Sequence, residues 1–436
     1  MEYQQSLRLI AGHLTSGAVV ARHGRRASSG PQSFPMKLRR AMFLLHLTAG
    51  CLVGIVVFFL AATGFLLAWQ KPVTAWAERS YNTPPPEGTT VPLPLDRLVD
   101  IAARSEGQQP TSVTVKADRA APVEVDFGRD HRLFLNCFSG SLLGSGAVRT
   151  RSFFETITSL HRWFGTPMQD HGAARVAKGA FALALLFLIT TGLFLWMPRN
   201  WNWQRLRAGA VLRFGLSGRA RNWNLHNVIG IWVAVPLAVI AITGGILAYN
   251  WMTTLLYVST GSAAPANGKA VEPSARKHHG LGASDSPAVQ LQQILDVARQ
   301  QAVGWQSLRI ALPNASDRKL DVNVDFADGG RPDQQSILVF DRETGEVVRR
   351  MAFSSFNLGR QLRSFTKYVH TGEAGGLVGE TIAGLTSLAC CFLVWTGLAM
   401  ALQRLKQPRF LAGRGGVPAC ATDSPTDSAL GLPPER

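Results

Sequence analysis

The chain has 436 residues, of which 46% are apolar, and it carries a formal net charge of +17. A mean hydropathy of +0.08 is high for a water-soluble protein with so large a charge, so the apolar residues must be concentrated in blocks that the charges avoid. The five cysteines form no CxxC or CxxCH motif, which argues against zinc sites and covalently attached c-type haem.

Residues 1–35 are rich in arginine and serine and show no apolar periodicity, so we predict a disordered leader. Met36, Lys37 and Leu38 would make a good natural N-terminus, which leaves two candidate start positions, Met1 and Met36. No cleavable signal with a small-residue site precedes the first apolar block, so this block is predicted to remain as a membrane anchor.

Four apolar blocks follow along the chain, and each is long enough to cross a bilayer. A spanning helix needs about 20 residues at about 1.5 Å rise each. The blocks contain few charged residues besides Glu380, whereas helices on soluble proteins show a polar face. The four predicted membrane helices lie at 41–69, 173–197, 226–252 and 375–402.

Lysine and arginine residues cluster before the first block, between the second and third, and after the fourth. By the positive-inside rule, these three places face the cytoplasm. The long connections, 70–172 and 253–372, mix both charge signs and are predicted to lie outside. The basic composition therefore reflects membrane orientation, with both termini cytoplasmic, and no nucleic-acid partner is expected.

The second half of the chain repeats the first. A histidine opens a membrane helix and a Thr-Gly pair follows 17 positions later, at His46 and Thr63 and again at His226 and Thr243. In both halves an amphipathic helix, strand-like runs and a glycine-containing hairpin come next, followed by a second histidine and a second membrane helix. The halves share one orientation, which indicates a parallel repeat with its axis along the membrane normal.

The repeat sorts four histidines into two pairs. His46 and His226 open helices that start inside, whereas His161 and His370 precede helices that start outside. Equivalent residues of a parallel repeat face each other, so His46 pairs with His226 inside and His161 with His370 outside. Two imidazoles in a helix bundle are a common way to hold b-type haem, and each ring then needs an acceptor for its other N–H. We predict two such metal centres.

The Thr-Gly pairs fit this arrangement, because each lies level with a histidine pair at the far end of its helix. Glycine there would leave room for a flat macrocycle, although helix packing through small residues gives the same motif. His171 stands closer to the second membrane helix than His161 and is an alternative outer ligand. The basic residues available for haem propionates are Arg39, Arg40 and Arg221 inside, and Arg162, Arg363 and Lys367 outside.

Several motifs recur at the helix ends: HxxxG at His46 and at His226, LHRWFG at 160–165, HTGEAGG at 370–376, and the four Thr-Gly endings. Together they resemble the PepSY-associated transmembrane helix family over about 41–405, and the outer segments resemble PepSY domains. The resemblance implies an inner-membrane iron-uptake protein that reduces a ferric siderophore and carries two haems. It implies haem ligation at His46, His161, His226 and His370.

The predicted fold is an α-helical membrane protein, a four-helix transmembrane bundle from a parallel internal repeat with two periplasmic α+β PepSY-like domains. Its predicted parts are a basic leader (1–40), helix one (41–69), the first outer domain (70–160), a histidine motif with helix two (161–197), a basic loop (198–225), helix three (226–252), the second outer domain (253–369), a histidine motif with helix four (370–402) and a cytoplasmic tail (403–436).

Two functions are open at this point. In the first, two b-type haems carry electrons across the inner membrane to a ferric siderophore, which makes the protein a haem-dependent ferric-chelate reductase. A quinol or a separate reductase would supply the electrons, because the chain has no GxGxxG motif and no P-loop. In the second, the protein is not an enzyme but binds peptides or regulates an envelope peptidase, and the histidines are polar contacts between helices.

Overall fold

The computed structural model describes residues 33–87, 91–128, 131–198, 203–264, 290–312 and 318–406. Most of the predicted leader and tail lies outside these residues. The helices are α1 (Ser33–Leu67), α2 (Gln70–Glu78), α3 (Leu95–Glu106), α4 (Val148–Trp163), α5 (His171–Trp196), α6 (Trp203–Ala210), α7 (Gly218–Ala248), α8 (Asn250–Ser259), α9 (Leu291–Gln301), α10 (Leu358–Thr371) and α11 (Gly376–Leu405).

Four helical stretches among the described residues are long and apolar enough to cross a membrane. Their outward faces carry exposed apolar side chains, such as Leu52 at 77% and Val235 at 74% exposure, which suit lipid and not water. The prediction of a helical membrane protein with four such helices is confirmed. The stretches are Lys37–Tyr81, Val148–Trp196, Gly218–Ala248 and Glu373–Leu405.

The four long helices form a closed ring. Helix α1 packs against α5 and α11, and α7 packs against the same two helices. Apolar side chains fill the centre of the ring, and the most buried are Val57, Ala61, Leu237 and Cys390. Helices that occupy corresponding places in the two halves of the chain, α1 with α7 and α5 with α11, therefore stand diagonally opposite each other.

Corresponding positions in the two halves also make corresponding contacts. Positions on α1 and α7 correspond when they have the same spacing from His46 and His226, and positions on α5 and α11 when they have the same spacing from their Thr-Gly pairs. In each case a glycine of one helix lies against an apolar side chain of the neighbouring helix. The matching contacts are Gly50–Leu188 with Gly230–Leu393, and Gly179–Ala248 with Gly384–Ala68.

Among the described residues outside the membrane helices, eight strands form one antiparallel sheet. Their order in the sheet is β4-β3-β2-β1-β5-β6-β7-β8. Each half of the chain contributes four neighbouring strands. The strands are β1 (Ser112–Lys116), β2 (Val123–Asp126), β3 (Arg132–Leu135), β4 (Leu142–Gly144), β5 (Ser307–Ala311), β6 (Lys319–Asp325), β7 (Gln335–Asp341) and β8 (Val347–Ala352).

The two predicted outer domains, 70–160 and 253–369, thus share a single sheet. Strands β1 and β5 pair along their whole length, with Val113 opposite Ile310. If the domains stood apart, both strands would be open edges with unpaired backbone groups. Pairing the two strands with each other satisfies those groups, and this joins the two α+β units into one.

Helices α3 and α9 provide apolar side chains to the core that covers one face of the sheet. Residues alternate along the strands, so that Val113, Ile310 and Leu338 are buried together with Leu98 and Ile294 of these helices. The two helices also cap each other. The Asp96 carboxylate accepts hydrogen bonds from the backbone N–H groups of Leu291 and Gln292 at 2.8 and 2.9 Å, and the Gln292 side chain accepts one from Leu95 N–H at 2.9 Å.

The sheet connects to one end of the helix ring. Helix α1 leaves that end through α2, and the chain returns from β4 through α4 and from β8 through α10. This end is called the sheet side below, and the opposite end is called the far side. The connections place the ends of α4 and α10 at the sheet side of the ring.

Candidate functional site

The structure brings the four predicted histidines together in two pairs. His46 on α1 faces His226 on α7, with ring centres 6.5 Å apart and an interplanar angle of 88°. His161 near the end of α4 faces His370 near the end of α10, with ring centres 6.4 Å apart and an angle of 53°. The first is the far-side pair and the second is the sheet-side pair.

Local chain geometry sets the sheet-side pair. Helix α4 ends just after His161, where Phe164 has a left-handed backbone with φ of 53°, and α10 ends just after His370 at Gly372, with φ of 87°. Each turn redirects the chain into the next membrane helix. The histidine is therefore held on the last turn of the helix that precedes the membrane helix, and not on the membrane helix itself.

Each imidazole Nδ1 lies 2.9–3.0 Å from a threonine hydroxyl on a neighbouring helix. All four threonines belong to the predicted Thr-Gly pairs, and each contacts the histidine pair with which it was predicted to be level. The contacts are His46 with Thr191, His161 with Thr63, His226 with Thr396, and His370 with Thr243.

The threonines fix which ring nitrogen carries the proton. A hydroxyl has one hydrogen, and each threonine donates it to a carbonyl of its own helix, as Thr63 does to Phe59 O at 2.9 Å and Thr191 to Phe187 O at 2.8 Å. The other two do the same. The hydroxyl must then accept from Nδ1–H. For His370, Nδ1 also lies 3.1 Å from the Ile240 carbonyl, which can only accept.

All four rings therefore carry hydrogen on Nδ1 and a free lone pair on Nε2. Among the described residues, every hydrogen bond of the four rings is made through Nδ1. A neutral imidazole with one nitrogen anchored and the other unprotonated is the form that binds a metal.

The glycine of each Thr-Gly pair makes room for the histidine. A Cβ placed on Gly244 would lie 3.2 Å from Cε1 of His370, and one on Gly64 would lie 3.5 Å from Cε1 of His161. Gly192 and Gly397 stand in the same relation to His46 and His226. The imidazole that reaches each threonine therefore lies over the glycine that follows it, and the expectation that these glycines also leave space for a macrocycle stays a prediction.

A cavity of about 680 Å³ surrounds the far-side pair. Pockets of roughly 300–1,000 Å³ hold small molecules and cofactors. Both histidines line it, together with Gly50 and Gly230, the glycines of the HxxxG motifs. Arg39, Arg40, Arg219 and Arg404 also line it, whereas the predicted Arg221 does not.

The alternative outer ligand takes a different place. The ring of His171 stacks on Trp163 with centres 4.1 Å apart and an angle of 9°. It is His161 whose ring lies beside His370. Helix α5 begins at His171, and its first turn holds this ring at the indole instead of at the sheet-side pair.

The ring-centre distances of both pairs would suit an iron held by the two imidazoles. Two metal–nitrogen bonds of about 2 Å, with each ring centre ~1 Å beyond its nitrogen, place the ring centres about 6 Å apart. Within the described ranges, no group of three or more His, Cys, Asp or Glu could hold a metal ion. Each pair offers two imidazole nitrogens, which could hold a metal whose other ligands belonged to a bound macrocycle.

Three charged residues lie in the membrane segments close to the sheet side, and only one of them was identified from the sequence. Arg175 and Lys178 lie on α5 within the second apolar block, at helical spacing, and the charge of Lys178 acts on both sheet-side histidines. Two cations three residues apart in an otherwise apolar helix were the sequence signal that could have identified them. Glu380 on α11, which the sequence did single out, is only 4% exposed.

Comparison with known families gives one match. The family described as PepSY-associated TM region matches residues 43–404, which include all four histidines and all four Thr-Gly pairs. The resemblance inferred from the helix-end motifs is thereby confirmed. No curated protein matches the chain.

Proposed function

The chain belongs to the family of the PepSY-associated transmembrane region, and from this premise we propose that it is a di-haem electron-transfer protein that reduces a ferric siderophore. The observation that carries the proposal is a pair of facing imidazoles, present twice, with each Nε2 free. We place the protein in the bacterial inner membrane, with the sheet in the periplasm and both termini in the cytoplasm, because Arg40, Arg219 and Arg404 of the basic segments line the far-side cavity.

In this proposal His46 and His226 hold one b-type haem, and His161 and His370 hold the other. When bound, a bis-imidazole haem supplies a one-electron Fe(III)/Fe(II) couple. The chain's own residues supply the ligand nitrogens and fix their orientation. The threonines hold each ring in the tautomer that leaves Nε2 unprotonated, and accepting a hydrogen bond from Nδ1–H strengthens the ring as a ligand.

The spacing of the two pairs supports transfer across the membrane. His46 and Thr63 are 17 residues apart on α1, and Thr63 contacts His161. At about 1.5 Å per residue the two levels are about 25 Å apart, close to the ~30 Å thickness of the hydrocarbon core. The apolar centre of the ring, which includes Val57 and Leu237, lies between the two levels.

The chemistry asked of the protein is one-electron reduction. Fe(III) bound by hard oxygen ligands takes up one electron, and the resulting Fe(II) is held more weakly and is released. No bond to hydrogen forms or breaks, so no catalytic acid or base is needed. A quinol or a separate reductase supplies the electron, because the sequence has no nucleotide-binding or flavin-binding motif.

The internal repeat and the PepSY-like character of the outer region also belong to this proposal. The strand order is symmetric about the β1–β5 pair, and corresponding glycines of the two halves make corresponding contacts. Both features support two copies of one helix–α+β–helix unit, related by a two-fold axis along the membrane normal.

The test is reduction across a membrane by reconstituted protein. Liposomes that contain a reductant should reduce an external ferric chelate, and a colorimetric Fe(II) chelator outside reports the product. His46→Ala and His226→Ala should abolish this activity. His171→Ala is the matched control and should retain it. Undiminished activity in the first two variants would contradict the proposal and would favour the alternative, a PepSY protein that binds peptides or regulates an envelope peptidase.

A further inference from the structure

Lys178 lies one helical turn from the level of the sheet-side pair. On α7, a Cβ at Gly244 would be 3.2 Å from Cε1 of His370 and 3.9 Å from Cβ of Ala182 on α5. Ala182 is therefore level with His370. Lys178 precedes it by four residues, which places its backbone about 6 Å closer to the sheet side.

Two arginines gather with this lysine around one aromatic ring. The Lys178 Nζ is 5.7 Å from the centre of the Trp163 ring, and the Arg162 Cζ is 5.1 Å from it. Arg175 is one turn from Lys178 on α5, and the positive charges of both arginines act on Lys178. The ring of His171 stacks on the same indole, with ring centres 4.1 Å apart.

No acidic side chain neutralises this cation cluster within the part of the chain that the structure describes. Among those residues, Arg162, Arg175 and Lys178 have no ion pair and no hydrogen bond, only the contacts of two of them with Trp163. Charged residues inside a membrane-spanning segment are costly unless they meet an opposite charge. An indole attracts a cation but cannot neutralise three.

The repeat shows that these charges are not required by the fold. When α5 is aligned with α11 through Thr191 and Thr396, Arg175 corresponds to Glu380 and Lys178 to Ala383. The helix packing at this level is nevertheless the same, because Gly179 and Gly384 both lie against an alanine of the neighbouring helix. Arg175 and Lys178 therefore have no cationic counterpart at the corresponding positions of α11.

We propose that Arg162, Arg175 and Lys178 form a binding site for carboxylate groups beside the sheet-side pair. The proposal rests on the proposed function. The carboxylates have two possible sources: the propionates of the haem held by His161 and His370, or an acidic ferric chelate that approaches to be reduced. Both would bring negative charge to cations that the described chain leaves unneutralised.

The experiment compares Lys178→Gln and Arg162→Gln with Arg149→Gln, a matched control. Arg149 is an exposed cation at the start of α4, the helix that also carries Arg162, and lies twelve residues before His161. Lys178→Arg, which keeps the charge, should behave as wild type and shows that the site tolerates substitution. Two quantities are measured on purified holoprotein: the reduction potentials of the haems, and the KM values for ferric citrate and for an uncharged ferric trihydroxamate.

Each source gives its own result. If the propionates are bound, Lys178→Gln and Arg162→Gln lower the potential of one haem and speed its loss to a haem scavenger, with the ratio of the two KM values unchanged. If the chelate is bound, the potentials stay the same and the KM for ferric citrate alone rises about tenfold or more. Variants that match Arg149→Gln in every measurement would overturn the inference, whereas a haem-free wild-type protein would overturn the proposed function instead.

Discussion

Each imidazole is oriented by a threonine whose own hydrogen is already committed. The Thr191 hydroxyl donates to Phe187 O at 2.8 Å and accepts from His46 Nδ1–H at 2.9 Å, so the tautomer follows from the helix and not from the metal. The four sites share this arrangement. A single residue type, placed one position before a glycine, thus leaves Nε2 unprotonated in all four rings.

Removing one hydroxyl should weaken one site only. We expect Thr191→Ala to lower the haem affinity of the far-side pair by about 10- to 100-fold, because His46 loses the partner that orients it. Thr190→Ala is the control, since the Thr190 hydroxyl is exposed and donates only to Phe187 O. Equal haem content and equal spectra in the two variants would show that the hydroxyl does not support the ligand.

The glycines can be tested in the same way. Gly244→Ala places a methyl group 3.2 Å from Cε1 of His370, so the ring must move. We expect a changed low-spin electron paramagnetic resonance signal of the sheet-side haem. A Cβ on Gly172 meets nothing within 4 Å, so Gly172→Ala should leave the signal as it is. An unchanged signal in Gly244→Ala would mean that the ring is not held against this backbone.

At the scale of elements, α3 and α9 depend on each other for their caps. Asp96 accepts hydrogen bonds from the first two backbone N–H groups of α9. We expect Asp96→Ala to destabilise the protein by about 1 kcal/mol, the usual value of such a cap. Asp100→Ala, on the exposed side of the same helix, should change little. Thermal unfolding in detergent would compare them, and equal transition temperatures would contradict the capping role.

The turn after β7 should make the sheet sensitive to acid. The Asp341 carboxylate accepts a hydrogen bond from Glu343 N–H at 2.9 Å, which lowers the pKa of Asp341 below its ordinary value. A lowered pKa in the folded state contributes stability above the ordinary pKa of about 3.9, and this is lost as pH falls through the lowered value. Asp341→Asn should reduce the loss of stability on acidification below about pH 4. The same acid dependence in variant and wild type would exclude this contribution.

The membrane helices could be predicted from the sequence because they depend on local apolar runs, and the pairing of the histidines because it follows from the match between the two halves of the chain. A spacing of 17 residues on a straight helix fixes the distance between His46 and Thr63 without further information. The pairing of β1 with β5 could not be predicted, because it joins strand edges that are almost 200 residues apart and carry no mutual signal. The contact between Lys178 and Trp163 could not be predicted either, because the two residues lie on different helices.

At the scale of the whole molecule, the account requires one orientation in the membrane. In a variant without the native cysteines, a cysteine at Asp100 should react with a membrane-impermeant maleimide added to cells with a permeabilised outer membrane. A cysteine at Arg207, on α6 in the basic connection, should react only after the inner membrane is opened. The opposite labelling pattern would place the sheet in the cytoplasm and exclude delivery of electrons to the periplasm.

The central claim is that two pairs of imidazoles hold two haems. The most direct measurement is the absorption spectrum of the purified protein before and after dithionite, with haem counted per chain. The account predicts a Soret band that shifts on reduction, about two haems in the wild type and about one in His46→Ala and in His370→Ala. A colourless protein from haem-sufficient cells, or variants with the haem content of the wild type, would contradict it.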